Sequence, residues 1–316
     1  MSALLSLPAY TDEPLARLGL AELVDQLIAD EDRVPRNLID ACARRGEEMA
    51  ERLGALLNDD RYWTGTATHG EWWLLLHAVL ILGLMPGERA GLLLVDFMRR
   101  MAQAGDDSLQ DWLAGYWPAL FLNKPEGVRS PLRVLCADRR LDWYIRANAL
   151  DAAVAGAQQQ GSEHLAQALA DLAVLAADEE EDWELRLSAG NILLDFPRAP
   201  YRPLLEGLAA RQERWGARFS HSDIEDAYAA AEDKPEWTRF KDPWAFYAPA
   251  AIRRSSVDNA NCHSANISCN TVSVRVAVDW SSLPRRLTRR VLSTVRIWSS
   301  TIWPFLRWKV SGMRVG

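Results

Sequence analysis

Three places in the chain bring acid–base or metal-binding residue types within a turn or two of helix. His69, Glu71 and His77 lie in HGEWWLLLH. A zinc-binding HExxH helix needs histidines four apart with Glu directly after the first, so that both imidazoles leave one face. Here the histidines are eight apart and the Glu is displaced by one. His221, Asp223 and Glu225 in HSDIED have the types of a base and its orienting acid. The same letters also read as a helix start capped by Ser222 or Asp223. The acidic run DEEED, 178–182, suits a cation, and equally the positive end of a helix dipole. Cys42, Cys136, Cys262 and Cys269 are too few and too scattered for a disulfide framework, and Cys42 and Cys136 sit in apolar helical contexts as inert core thiols. Glycine-rich phosphate loops, GxSxG elbows and paired-cysteine zinc spacings are missing from the sequence. No catalytic residue, metal ligand or cofactor is assigned.

Tryptophan spacing says more. The stretch LDWYIRANALDAAV, 141–154, returns forty residues later as EDWELRLSAGNILL, 181–194. Asp142, Trp143, Ile145, Arg146 and Ala149 align with Asp182, Trp183, Leu185, Arg186 and Ala189. Extending the register gives Asp32, Glu71, Asp111, Asp142 and Asp182, followed by Trp at 72, 112, 143 and 183. Arg stands four beyond the acid at 36, 146 and 186, and Ala seven beyond at 78, 149 and 189. Equivalent positions of stacked repeats line up along one edge. Trp72, Trp112, Trp143 and Trp183, with Arg146 and Arg186 if these face outward, are therefore the candidate binding groove, since Trp and Arg dominate hot spots. The competing reading places each Trp in the wedge between repeats, as core. Acid and Arg four apart have the favourable order for a pair along one helix, or they bridge successive repeats as a ladder.

The elements that must position these residues are helices in pairs. Apolar residues recur at threes and fours in 15–29, and again through 32–59 with Pro35 in a first turn and Gly46 between two amphipathic segments. The pairs continue as 70–84 with 86–102, 107–121 with 126–140, 142–160 with 162–177, and 182–196 with 201–215. A short helix at 222–233 leads into 234–247. A period near forty residues predicts an all-α solenoid of antiparallel helix pairs of the HEAT or armadillo type, because one pair cannot bury both of its apolar faces alone. The expected organisation is an irregular arm at 1–14, a repeat domain at 15–250, and a distinct tail at 251–316.

The segments DRVPRNLIDACARRGEEM (32–49), GYWPALFLNKP (115–125), DWYIRANALDAAVA (142–155), EEEDWELRLSAGNILLDFPR (179–198) and DPWAFY (242–247) resemble the bacterial family known only as domain of unknown function 1186, over roughly residues 13–250. That resemblance implies a HEAT-like solenoid and no established activity. Some relatives carry a C-terminal cysteine-rich SEC-C zinc motif; Cys262, His263 and Cys269 lack its closely spaced pairs, so no metal is carried over.

Charge separates body from tail. Residues 1–250 hold 25 Lys and Arg against 41 Asp and Glu, a balance of −16, while 251–316 hold 11 against 2, or +9. An acidic body repels phosphate backbones, so nucleic acid is not an expected partner and a DNA-handling helical-repeat protein of the glycosylase type is disfavoured. The tail alternates at 271–279 with Val272, Val274, Val276 and Val278 on one face, as in a strand. Residues 283–308 then carry Leu283, Leu287, Val291, Val295, Trp298, Ile302 and Phe305 at helical spacing among arginines, the pattern drawn to an anionic membrane surface. So sharp a break is also what a shifted frame, a junction with unrelated sequence or disorder produces. The run at 72–85 falls short of the roughly 20 apolar residues of a span and suits a buried helix. With few cysteines and no signal-like start, the expected setting is reduced and cytoplasmic. The expected function is a non-enzymatic scaffold for a protein partner. The competing reading is an enzyme related to the helical-repeat lyases and isomerases of bilin attachment, which requires a pocket with convergent polar groups.

Overall fold

The computed structural model describes residues 7–64, 66–104, 107–212, 217–230 and 240–252, and every regular element among them is helical. The strand expected at 271–279 and the helix expected at 283–308 lie outside the described residues. The described chain forms two compact units, one from residues up to Phe196 together with 240–252, the other from 197–230. The single repeat domain expected over 15–250 is thus divided at Phe196.

The first unit contains α1 (Asp12–Arg17), α2 (Leu20–Asp30), α3 (Arg36–Ala43), α4 (Glu47–Asn58), α5 (His69–Leu84), α6 (Glu88–Ala104), α7 (Asp107–Leu113), α8 (Trp117–Phe121), α9 (Arg129–Ala137), α10 (Trp143–Gln160), α11 (Ser162–Ala177) and α12 (Trp183–Asp195). Helices α2, α5, α8, α10 and α12 pack each on the next as one layer. Helices α4, α6 and α9 pack in turn as the other, the layers join through α5 with α6 and α9 with α10, and α11 packs on α10 and α12. This is the expected all-α stack of helix pairs. Its joints are glycines at positive φ, a conformation that costs other residues: Gly87 (+111°) and Gly161 (+116°) separate the members of two packed pairs, and Gly46 (+57°) turns the chain between α3 and α4. Gly115 (+78°) splits the segment read as one helix at 107–121 into α7 and α8.

Helix α5 is the centre of the stack. It is apolar around its whole circumference and buried almost throughout, because α2, α3, α6 and α8 surround it. Its start is fixed by a capping box in which Thr68 Oγ1 accepts from the Glu71 amide at 3.3 Å and the Thr68 amide donates to Glu71 at 2.8 Å. Its end is closed by Asn123 and Lys124. The Asn123 side-chain amide donates to the carbonyls of Gly83 and Leu84 (3.1 Å each), and Lys124 Nζ to those of Gly83 (3.0 Å) and Met85 (2.7 Å). These are carbonyls that a helix end leaves without partners. At the crossing with α2, a Cβ on Gly70 would stand 2.3 Å from the Ile28 carbonyl oxygen, a main-chain atom with nowhere to go. Gly70→Ala is accordingly expected to lower stability by about 2 kcal/mol, the cost of overpacking, read as a shift of the urea midpoint at unchanged slope. A midpoint equal to that of the native chain would disprove this close crossing.

The N-terminal arm is less irregular than its prolines suggest, since α1 already begins at Asp12. Tyr10 ties the arm down: its hydroxyl lies 2.7 Å from both Gln26 and Asp30, and its carbonyl accepts from Asn37 at 2.6 Å. After Phe196 the second unit forms α13 (Arg202–Arg211) and α14 (His221–Ala229) around Leu205, Leu208, Phe219 and Ile224. Arg202 bridges Glu206 and Glu225 across this pair. The cap of α14 is Ser220, with Asp223 completing the box, rather than Ser222 or Asp223 itself.

Candidate functional site

The duplicated stretch at Asp142 and Asp182 builds the same device twice. Asp142 caps α10 by accepting from the Tyr144 amide at 2.7 Å, and Asp182 caps α12 by accepting from Glu184 and Leu185 at 2.8 and 3.2 Å. One turn on, Arg146 turns inward and its Nε donates to the Cys136 carbonyl at 2.7 Å; Arg186 does the same to Ala176 at 3.0 Å. Both acceptors lie in the last turn of the preceding helix, where carbonyls lack partners and the dipole favours a cation. Arg146 is only 2% exposed and Arg186 5%. These two arginines therefore do not line an outward groove; the ends of α9 and α11 need them inside.

Arg146 also passes over Asp142 as a partner. It forms a two-pronged pair with Glu181 (2.8 and 2.6 Å), whose side chain is 6% exposed and whose carboxyl this hydrogen bonding holds below the usual carboxylate range. At Arg146 the contact runs between repeats, though to Glu181 and not to a register acid, whereas Arg36 pairs along its own helix with Asp40. Arg133 on α9 with Asp171 on α11, and Arg139 just past α9 with Asp178 just past α11, add outer rungs, and Arg139 also reaches Glu181 at 3.4 Å. The run DEEED is consumed by these rungs and by the Asp182 cap.

Elsewhere the extended register does not carry one structure. Glu71 is the third residue of α5 rather than its cap, Asp32 is buried in the turn Glu31–Arg33, and Asp111 lies within α7. Ala78, Ala149 and Ala189, by contrast, are each fully buried, as close helix approach requires. The four tryptophans are all half-buried. Trp72 and Trp112 meet through Trp73, edge-on at 5.0 and 5.3 Å. Trp143 stands against Tyr144 at 5.5 Å, and Trp183 lies under the Arg186 guanidinium at 5.3 Å. Among the described residues no ring contact joins Trp112, Trp143 and Trp183 into a row.

What Trp73 does assemble is an internal aromatic cluster, closed by a strap that returns from far along the chain. Phe246 stacks on Trp73 (5.9 Å) and meets Trp112 edge-on (5.5 Å), while Trp244 Nε1 donates to the Leu80 carbonyl at 2.9 Å. His77 sits fully buried beneath the strap. Its Nε2 lies 2.8 Å from the Glu31 carbonyl and its Nδ1 2.9 Å from the Tyr247 hydroxyl. A carbonyl only accepts, so Nε2 carries the proton and the tyrosine donates to Nδ1. Burial draws the imidazole down to about 4, so it stays neutral.

The residue types that suggested chemistry are thus occupied. His69 accepts from Trp73 Nε1 at 3.1 Å, Glu71 closes its capping box, and His77 holds the strap. Burial pushes the thiols of Cys42 and Cys136 up to about 12. Lys124 is drawn down by burial to about 7, the range amine catalysis uses, but its donors are committed to the end of α5 and to Asn123. Among the described residues no cluster of His, Cys, Asp or Glu is arranged to hold a metal ion.

An open concavity remains, a groove of about 660 Å³ where the connection before α5 meets α5, α6 and α7. Tyr62, Trp63, Trp72, Leu75 and Met101 supply an aromatic and apolar wall, and Arg100 is the sole formal charge among its lining residues. Trp63 has its polar atom turned away, Nε1 donating to the Leu56 carbonyl at 3.3 Å, and its largely buried ring tilts against Phe97 at 5.8 Å. Arg100 lies 5.7 Å over that ring. No family model, curated protein or solved structure matches the chain. Of the six groove residues expected from sequence, the structure places only Trp72 here. The signal missed was Arg61, Tyr62 and Trp63: two large aromatics in a short connection between helices, where polar turn residues are the rule. Among the described residues no helix is long and apolar enough to cross a membrane.

Proposed function

We propose that this chain is a non-enzymatic helical-repeat scaffold that binds a protein partner through the groove at Tyr62, Trp63 and Trp72. The observation that carries the reading is the groove itself: Trp, Tyr and Arg, the types that anchor interfaces, together with an adaptable Met, gathered in a concavity between a connection and three helices. A catalytic reading would need convergent polar groups facing a cavity, and here the polar groups singled out face carbonyls, caps and ion pairs instead. The resemblance to the uncharacterised bacterial family of domain 1186 accords with this reading. A cytoplasmic setting goes with it, Cys42 and Cys136 being free thiols in the core.

A photo-crosslinking side chain at Gln103, an exposed residue lining the groove, tests the reading in cells. A covalent adduct with a discrete polypeptide is expected, and Trp72→Ala should reduce it about tenfold or more, the weight of a hot-spot tryptophan, in a chain that keeps a cooperative melting transition. The same crosslinker at the exposed Val174 on α11 should give no such adduct. Equal labelling from Gln103 and Val174, or indifference to Trp72→Ala, would count against a groove-binding scaffold.

A further inference from the structure

We propose that the group this groove receives is the C-terminus of a partner polypeptide, with a bulky apolar last side chain laid against Trp63 and Trp72 and the terminal carboxylate paired with Arg100. This rests on the scaffold reading above and adds the chemistry of the partner.

Charge decides the sign of the ligand. An aromatic-walled groove suggests a cation by itself, because ring faces attract positive charge. Here the lining includes Arg100 and no Asp or Glu, and the guanidinium of Arg61, itself paired with Asp59 and Glu71, already covers Tyr62 at 4.7 Å. A cationic group would find that ring face taken and a guanidinium, not a carboxylate, in the lining. An anion enters toward that guanidinium, although the body of the chain is strongly acidic.

Arg100 is prepared for a carboxylate. Its ionic partner among the described residues is Asp60, whose side chain is 78% exposed, so the pair is weak and readily exchanged. Its Nε is shielded from the open groove and has no acceptor among the described residues, so the outer nitrogens, one of them shared with Asp60, are what an entering carboxylate would meet.

The spacing selects a chain terminus. The guanidinium lies 5.7 Å from the Trp63 ring centroid, so the charge and the apolar body must leave the ligand within a few ångströms of each other. A terminal residue provides this, because its carboxylate and its side chain share one α-carbon. An internal Asp or Glu points its carboxylate away from its neighbours' side chains. The volume of about 660 Å³ lies within the ~300–1,000 Å³ of ordinary ligand pockets. Capture of a terminal carboxylate is one of the recurring modes of peptide recognition.

Fluorescence polarisation on the full chain tests this. The probe is a peptide of alternating Gly and Ser, labelled with fluorescein at its N-terminus and ending in Phe, prepared as the free acid and as the C-terminal amide. The acid is expected to bind about tenfold or more tightly than the amide. Arg100→Gln should abolish that preference by weakening the acid alone. Equal binding of acid and amide, or no binding of either at millimolar protein, would overturn the proposal. N-acetylphenylalanine separates the two sources of the shared chemistry. If it competes as strongly as the peptide acid, the ligand is a free aromatic acid and the polypeptide terminus is wrong. A Trp72-dependent adduct at Gln103 combined with equal acid and amide binding would leave the scaffold standing and remove the terminus alone.

Discussion

Glu181→Ala is expected to lower the unfolding free energy by about 3–5 kcal/mol, a large part of what a domain of this kind possesses. The cause lies in Arg146 rather than in Glu181. With both side chains almost fully buried, removing the carboxylate leaves a guanidinium that cannot lose its charge and cannot reach water. Among the described residues the Cys136 carbonyl alone would still serve it, through Nε. Removing both charges is a different experiment. The double replacement Arg146→Met with Glu181→Leu should recover most of the loss, because desolvating the pair offsets much of its attraction. Arg139→Ala, which takes away an outer rung half open to solvent, should cost under about 1 kcal/mol. Urea titrations of the four chains decide the matter. A Glu181→Ala chain within 1 kcal/mol of the native one would show that Arg146 finds another partner and that the two repeats are not held together here.

Arg146 also shows where sequence reading stops. The helices were legible because apolar periodicity and the glycines between segments report local geometry. Gly87 and Gly161 stand at the joints of packed pairs and Gly46 between α3 and α4, and each adopts the positive φ that a tight turn requires. The duplication at 142 and 182 was legible too, since caps and core positions recur with it. An arginine in an acidic neighbourhood reads as a surface residue, and what pulls this one inward is an unpaired carbonyl ten residues earlier on another helix. That cause belongs to the stack and not to the local chain. The constant offset, Cys136 to Arg146 and Ala176 to Arg186, is visible only once the carbonyls are located. The tryptophan register failed for a related reason. Trp143 and Trp183 each open a helix, whereas Trp72 is the fourth residue of α5 and Trp112 falls late in α7, so equal intervals joined unequal places. The groove went unseen because Tyr62 and Trp63 come from a connection, and Arg100 and Met101 from a helix some forty residues on.

Acid should release the strap over α5 before it disturbs the outer ion pairs. His77 is neutral in the folded chain, with Nε2–H given to Glu31 and Nδ1 receiving from Tyr247, and its folded value of about 4 lies below the ~6.5 of an unfolded histidine. Between those two values the unfolded chain binds the extra proton and the folded chain does not, so stability rises with pH across the interval. The contribution is complete above about pH 6.5 and is lost progressively toward pH 4, to a total near 3 kcal/mol for a shift of this size. Protonation would demand that Nδ1 donate where it now accepts, inside a shell of Trp73 and Tyr247 rings. The carboxylates of the ladder also lose stability in acid, but they do so lower on the scale, because Glu181 is held below the ordinary range by Arg146. Comparing unfolding free energies of the native chain and His77→Gln from pH 7.5 to 4.5 isolates the histidine: the native curve should fall more steeply, and the two should converge as pH drops. Parallel curves would mean that His77 accepts its proton in place, and that the strap is held by Phe246 and Trp244 without regard to the imidazole's charge.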